Sequence, residues 1–572
     1  MAPDKLHQNY KKAVDHFQAG RLAQAEKLAR QVVEALPNNP NALNLLGAVL
    51  QRRGKAKDAV AAFTQLCSIS PRVPQAHVNL GNALLDLGDA SGATEAFEAA
   101  LQIDPGFAAA ALNLGAMCQR EGELERALAL FEHACRSQPE LHLAHYNKGI
   151  CLKEMGRFED ALSALTDAVK IEPGDPGVYL ERANALSDLR RDEEAIEDIK
   201  KALRLKPDWP NALGNWGTFL CRLDRHRDAL EKFNRCLDLA PGDASNEVNR
   251  ALAHRALGEL EQGWPAYRRR AESYAPFYKR FTGDLPAWTD RNVGACDVLV
   301  WTEQGLGDQI LYAGLLEEFA GKAKSVAWAC PAKLTDVFTK SFAHLTNVRF
   351  VDADINTLDL SPFDAQASMV DIAADLRPTS ESFPEPRPYL EVDRAAAAEI
   401  RKSLEARYGR GKKFVGLSWA SQNRLIGDLK TVPAEALQLI LDVEGVQFVS
   451  LQYGQSIQTA ELLAGAPPDS GPTVALVDGI DLNGPLSATL NLLGALDLFI
   501  SVSNTTAHLA GAAGLPVWLM VPAGRARLWY WFLEGSSTPW YRSMTLFRQT
   551  HGESWSPVCH SIASALEKFA KT

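Results

Sequence analysis

The chain has 572 residues, enough for two or three domains with full cores. Charged residues make up 23% and hydrophobic ones 46%, which is ordinary soluble globular composition. The formal net charge of -10 argues against nucleic acid as the main partner, because phosphate binding needs a basic surface. The most apolar run, Leu496 to Val502, is short and interrupted by Asp497, so no stable membrane insertion is expected. The opening MAPDKLHQNYKKAVDHF lacks the apolar stretch of a secretory signal, and nine cysteines are scattered without zinc-ligand spacing. Reduced thiols and a cytoplasmic location are the expectation.

Pro37, Pro71, Pro105, Pro139, Pro173, Pro207 and Pro241 stand 34 residues apart without a slip. Ala25, Ala59, Ala93, Ala127, Ala161, Ala195 and Ala229 keep the same beat. A fixed period of this length predicts helix–turn–helix units, each burying its apolar face only against its neighbours. Gly47, Gly81, Gly115, Gly149 and Gly217 recur where the first helix of a unit must approach its partner closely. Phe63, Phe97, Phe131 and Phe233 fall on the matching face of the second helix. Asn79, Asn113, Asn147, Asn215 and Asn249 share one position on the first helices, with Glu181 standing in once. An amide both donates and accepts, which matches the peptide unit of an extended chain irrespective of its sequence.

From about residue 295 short apolar runs alternate with amphipathic helices. Strands are expected at 297–301, 325–330, 413–419, 446–452, 497–503 and 516–522, with helices at 309–320, 331–342, 434–442 and 485–495. That alternation predicts parallel sheets covered by helices on both faces, with ligands at the carboxyl ends of strands. Pro378 to Pro388 divides the region into two unequal halves. The expected organisation is a solenoid over 1–277, a linker over 278–293, and two Rossmann-like halves over 294–392 and 393–572.

Three loops at strand ends carry candidate chemistry. In Glu303 to Asp308 (EQGLGD), glycines let backbone approach a ligand and Asp308 sits where a helix opens; a tight turn with Asp308 as N-cap is the plainer alternative. The loop after 413–419 holds Arg424 and Lys430, cations that could grip a diphosphate or simply be solvated. In Ser501 to Gly514 the Ser503-Asn504-Thr505-Thr506 run caps a helix whose N-terminus would seat a phosphate, with His508 facing the cleft or else structural. Asp352-Ala353-Asp354 has DxD form but no supporting acid, and is read as a solvated strand end rather than a metal site.

The repeat half resembles the tetratricopeptide repeat over roughly residues 6–277. The resemblance implies a right-handed superhelix with the first helices lining a concave groove. It also implies an asparagine ladder (Asn79, Asn113, Asn147, Asn215, Asn249) that binds a polypeptide acceptor. EQGLGD with QILYA, VGLSWA, VSLQ, AHLAGAAGLPVW and PWYRSMTLFRQ resemble the GT-B glycosyltransferases, nearest to the heptosyltransferase-like and O-GlcNAc-transferase-like groups. This second likeness implies Asp308 as general base. It implies Lys430, Ser503, Asn504, Thr505, Thr506 and His508 on the donor side, a nucleotide-sugar co-substrate, and no metal or other cofactor. Ser503-Asn504 stands where those groups usually have Asp-Thr, and Trp529-Tyr530-Trp531 where they have Trp-Arg-Trp. The expected function is transfer of a sugar to Ser or Thr of a protein, with flagellin as the acceptor that the likeness suggests. A lipopolysaccharide-core sugar transferase and an inactive repeat adaptor are the alternatives.

Overall fold

The computed structural model describes residues 3–270, 281–289, 294–352, 354, 358–423, 425–453 and 474–572. Two compact units divide after Asp208. Helices run in consecutive hairpin pairs from Pro3–Gln18 to Leu260–Tyr267, so a tetratricopeptide solenoid forms the N-terminal part of the chain.

Local chemistry explains the pairs. Pro40, Pro74, Pro176 and Pro210 open first helices at N1, where the missing N–H costs nothing. The turn inside each pair needs a left-handed residue. Gly122 takes it at φ 82° without strain, while Arg190 (φ 63°) and Asp224 (φ 60°) take it at a cost. The periodic glycine on the first helix exists for close approach. A Cβ on Gly115 would lie 2.7 Å from Phe131 Cε1, a ring that is fully buried. Gly115→Ala is therefore expected to cost about 1–3 kcal/mol by overpacking, read as a lower urea midpoint of the full chain.

The second unit contains the helices Pro210–Arg222, His226–Leu239, Ala244–Ala256 and Leu260–Tyr267 together with an α/β module. The repeats thus run on past the division: the last two pack with the parallel sheets that follow. Where a plain linker was expected, Trp288 is buried against Phe319 and its backbone N–H donates to Gln366 O at 2.8 Å. Residues 271–277 of the expected solenoid, and 278–280 and 290–293 of the expected linker, lie outside the described residues.

The first sheet holds β1 (Asp297–Trp301), β2 (Ser325–Cys330), β3 (Val348–Asp352) and β4 (Ala365–Ser368) in the order β3-β2-β1-β4. The second holds β5 (Lys413–Ser418), β6 (Val446–Ser450), β7 (Leu498–Val502), β8 (Val517–Val521) and β9 (Met544–Arg548) in the order β6-β5-β7-β8-β9. Both are wholly parallel. Alternate residues of β5 enter different cores, Phe414 one and Val415 and Leu417 the other. This sheet is accordingly buried on both faces, as parallel strands require.

Candidate active site

Strand order locates the site. The second sheet reverses direction between β5 and β7, and the first between β1 and β4. At such a point neighbouring loops leave in opposite directions and open a crevice at the carboxyl ends of the strands. Lys430 follows β5, Ser503–Thr506 follow β7, and Glu303 and Asp308 follow β1. The helices after β1 and β7, Leu306–Ala313 and Thr505–Ala512, pack against each other. The two crevices therefore share a wall.

Asp308 stands in the first turn of Leu306–Ala313, whose N-cap is Gly305 rather than Asp308 itself. Part of its surface opens on a cavity, but its carboxyl group is deep in the protein. Burial pushes its pKa up to about 6, against the lowering effects of the Lys430 charge and the Tyr530 hydroxyl. Lys430 is buried, and its ammonium donates to Ser503 O at 3.3 Å. Burial brings its pKa down to about 8, with Asp308 opposing. The carboxyl is thus raised and the ammonium lowered toward neutrality, each charge opposing the other's shift. Glu303 is no comparable base: both its oxygens are taken by the Arg270 guanidinium in a nearly fully buried ion pair.

The loop after β7 turns its side chains inward. Ser503 Oγ accepts from Trp531 Nε1 at 2.9 Å. Asn504 caps the helix through Ala507 N at 3.1 Å and donates to Ser418 Oγ at 2.9 Å, which ties β7 to β5 across the crevice. Thr506 is buried, and Thr505 keeps partial exposure. What this loop can present to a ligand is its backbone N–H groups.

His508 does not face the cleft. Only 2% of its surface is exposed; Nδ1 meets Tyr541 Oη at 2.9 Å and the ring stacks on Trp531 at 5.2 Å. The missing side chain of Gly307 makes room for the ring, since a Cβ there would lie 2.8 Å from His508 Cδ2. Burial and the Lys430 charge bring its pKa down to about 3, so it is a neutral core residue. The reason is geometric: residues 506–512 are buried without a break, so this helix has no cleft-facing first-turn position left for it.

Tyr530, Trp531 and Arg255 take structural places that sequence reasoning did not assign. Tyr530 is buried, and its hydroxyl lies 3.4 Å from His508 Nε2. The run Trp529-Tyr530-Trp531 was visible as a departure from the resembled pattern, and that was the available signal. Asp308, Tyr267 and Trp529 line a cavity of about 550 Å³ whose far wall comes from the last two repeats, including Asn249 and Arg222. Phe532, also on its wall, holds φ 51° and ψ -177°, a conformation few non-glycine residues adopt. Arg548 enforces it by donating to the carbonyls of Trp531, Phe532, Glu534 and Gly535.

The five asparagine positions are half-buried. Asn79 donates to Asn44 Oδ1 at 2.8 Å and Asn113 to Asn82 Oδ1 at 2.9 Å. In the second unit Asn249 donates to Thr218 Oγ1 at 3.5 Å. Asn147 and Asn215 occupy the equivalent positions on their helices. Arg424 and Ala353 lie outside the described residues. No described helix is long and apolar enough to cross a membrane.

Comparison with known proteins agrees with the repeat architecture. Residues 10–77, 78–142 and 152–214 match tetratricopeptide repeat families. Protein FlbA of Caulobacter vibrioides is 30% identical over 341 residues, covering 57% of this chain. The chain spans 56% of that relative's length. Among solved structures, YrrB, described as a TPR protein with an unusual peptide-binding site, is 22% identical. It covers 32% of this chain and 94% of its own, at a TM-score of 0.29. A tetratricopeptide repeat protein from Parabacteroides merdae is 18% identical, covering 44% and 99%, at a TM-score of 0.35.

Proposed function

We propose that this chain is a protein O-glycosyltransferase of GT-B type. It moves a sugar from a nucleotide-sugar to a Ser or Thr hydroxyl of a polypeptide held by the repeats, with flagellin as the expected acceptor. The observation that carries the reading is the convergence of Asp308 and Lys430 where the helices after β1 and β7 meet. The acceptor oxygen attacks the anomeric carbon while Asp308 takes the hydroxyl proton. The bond from that carbon to the phosphate oxygen breaks, and the electron pair leaves with the nucleoside diphosphate. Lys430 and the first-turn N–H groups of Thr505 and Thr506 stabilise the departing charge. Neither a metal nor any other cofactor enters the scheme. Intact-mass analysis of flagellin incubated with the purified chain and a panel of nucleotide-sugars tests it; an unchanged mass with every donor overturns it.

The repeats supply the grip on the polypeptide. Replacing Asn79, Asn113 and Asn147 together by alanine is expected to weaken acceptor binding about tenfold or more while the melting temperature stays close to wild type. The side chains are half-buried and not part of the apolar core, and those of Asn79 and Asn113 are bonded to neighbouring amides. An unchanged Kd by calorimetry would leave the row as repeat architecture only.

A repeat adaptor with a silent transferase half is favoured by one observation. Ser503, Asn504 and Lys430 all spend their polar atoms on internal partners. That reading predicts no heat of binding for any nucleoside diphosphate.

A further inference from the structure

A side chain from the end of the last repeat bridges the crevice between β1 and β4. Arg270 is 3% exposed and follows the helix Leu260–Tyr267 by three residues. Its guanidinium holds both oxygens of Glu303, with Nε at 3.0 Å from Oε2. It also donates to Ser368 Oγ at 3.3 Å, on the last residue of β4, and to Tyr267 O at 3.0 Å. Asp371 Oδ1 lies 3.8 Å from Nη1. One turn earlier, the Tyr267 hydroxyl accepts from Gln304 Nε2 at 3.2 Å. The Gln304 carbonyl accepts from Gln309 Nε2 at 2.9 Å, and the Gln309 backbone N–H closes on Gly305 O at 3.1 Å. The first turn of the helix that carries Asp308 is thereby tied to the repeat through its own loop. Docking of this repeat is already secured elsewhere. Arg268 pairs with Asp375, Trp264 Nε1 donates to Arg377 O at 2.7 Å, and Ser380 Oγ donates to Gly258 O at 2.7 Å. A forked ion pair taken out of water is a costly way to add docking that apolar packing would supply. What the fork adds is a fixed direction, because both carboxylate oxygens engage it.

We propose that Arg270 and Tyr267 are positioning residues: the last repeat clamps Glu303 and Gln304, and through them holds Asp308 at the wall of the cavity. This deepens the transferase reading and rests on it for the role of Asp308; the clamp on the loop does not. Tyr267, Glu303, Gln304, Gly305 and Asp308 line that cavity together. Between the clamp and Asp308, Gly305 is exposed and Leu306 only half-buried, so packing gives this turn little anchorage of its own. The repeats then shape the candidate site as well as gripping the polypeptide.

The test uses the full chain with Arg270→Lys and Tyr267→Phe. Lysine keeps the charge and gives up the fork. Phenylalanine gives up the hydroxyl and keeps the ring, which also faces the buried Arg255 at 3.7 Å. Hydrogen exchange is followed by mass spectrometry on the peptide spanning residues 302–311, which includes the Gln309 amide. Transfer kinetics are measured on the same samples. Arg270→Lys is expected to speed exchange about tenfold or more and to lower kcat about 10–100-fold. Tyr267→Phe is expected to change both in the same direction by about fivefold. Donor and acceptor KM should stay within about threefold in both variants, since the clamp places the base and leaves the grips on either substrate alone. Arg268→Ala, which breaks a docking pair only, is the control, with exchange of this peptide and kcat both within about twofold of wild type. Equal effects of Arg268→Ala and Arg270→Lys reduce the pair to docking and overturn the proposal. Unchanged exchange in both clamp variants overturns it too, as does faster exchange with kcat intact. If Arg270→Lys does not fold, Tyr267→Phe decides by the same criteria. Faster exchange in the clamp variants of a chain that transfers from no donor sinks the transferase reading and leaves the clamp standing.

Discussion

Asp308→Asn is expected to lower the transfer rate by about 10²–10⁴-fold, the usual price of removing a general base. The amide keeps the size of the carboxylate and fits the first turn of Leu306–Ala313, but cannot accept the acceptor's proton. Nucleotide-sugar affinity is expected to stay within a few fold of wild type, because Lys430 and the backbone of Thr505–Ala512 are untouched. Stability gives an independent check. The folded pKa of Asp308, about 6, lies above the ordinary 3.8, so its ionised form opposes folding above that pH. The opposition is relieved as pH falls from about 6 toward 4. The Asn variant should therefore melt at or above the wild-type temperature at pH 8, and lose that advantage at pH 5. In the wild-type chain the same group is expected to set the acid limb of the rate profile near pH 6. Full activity in the variant would remove Asp308 from the chemistry, and the Arg270 ion pair leaves Glu303 a poor successor.

His508→Ala is expected to destabilise the chain by about 2–4 kcal/mol, the cost of a cavity where a packed ring stood. The ring fills the space between Gly307, Trp531 and Tyr541, and no described neighbour can slide in without moving one of the two packed helices. The pH dependence has a definite sign. His508 is held neutral down to about pH 3, whereas the unfolded chain protonates it near 6.5. Its contribution is complete above pH 6.5 and is lost as pH falls from there toward 3, by at most about 1.4 kcal/mol per unit. The gap between wild type and variant in urea should narrow from pH 7.5 to pH 5. Loss of donor affinity without loss of stability would return His508 to the donor side.

Much of the fold can be read from the chain because it is written in periods. The 34-residue beat marks helix pairs, and runs such as Phe414–Ser418 are apolar enough to announce parallel strands. β4 escapes notice because Ala-Gln-Ala-Ser has no apolar signature; it is a strand only because β1 offers it a ladder. The site divides along the same line. Asp308 and Thr505 are legible from strand–turn–helix context, which is local. The inward turn of His508 is not, since its helix has no polar face to betray direction. Arg255 is invisible for a stronger reason. In sequence it is one of an ordinary His-Arg pair at a helix end, and its burial depends on Trp529, far along the chain.

Asp224 ties the seventh helix pair to the α/β module. It accepts the strain of a left-handed turn and in return receives Gly524 N at 2.9 Å and the Arg527 guanidinium at 3.3 Å. A repeat that docks in this way cannot be traded as one trades the others. Chimeras that exchange the earlier repeats should be joined at Asp208 and Trp209, so that the receiving chain keeps its own seventh and eighth pairs. A splice near residue 277 would bring in foreign residues opposite Gly524, Arg527 and Trp529, and the recombinant would inherit a misfitted cavity wall along with its new repeats.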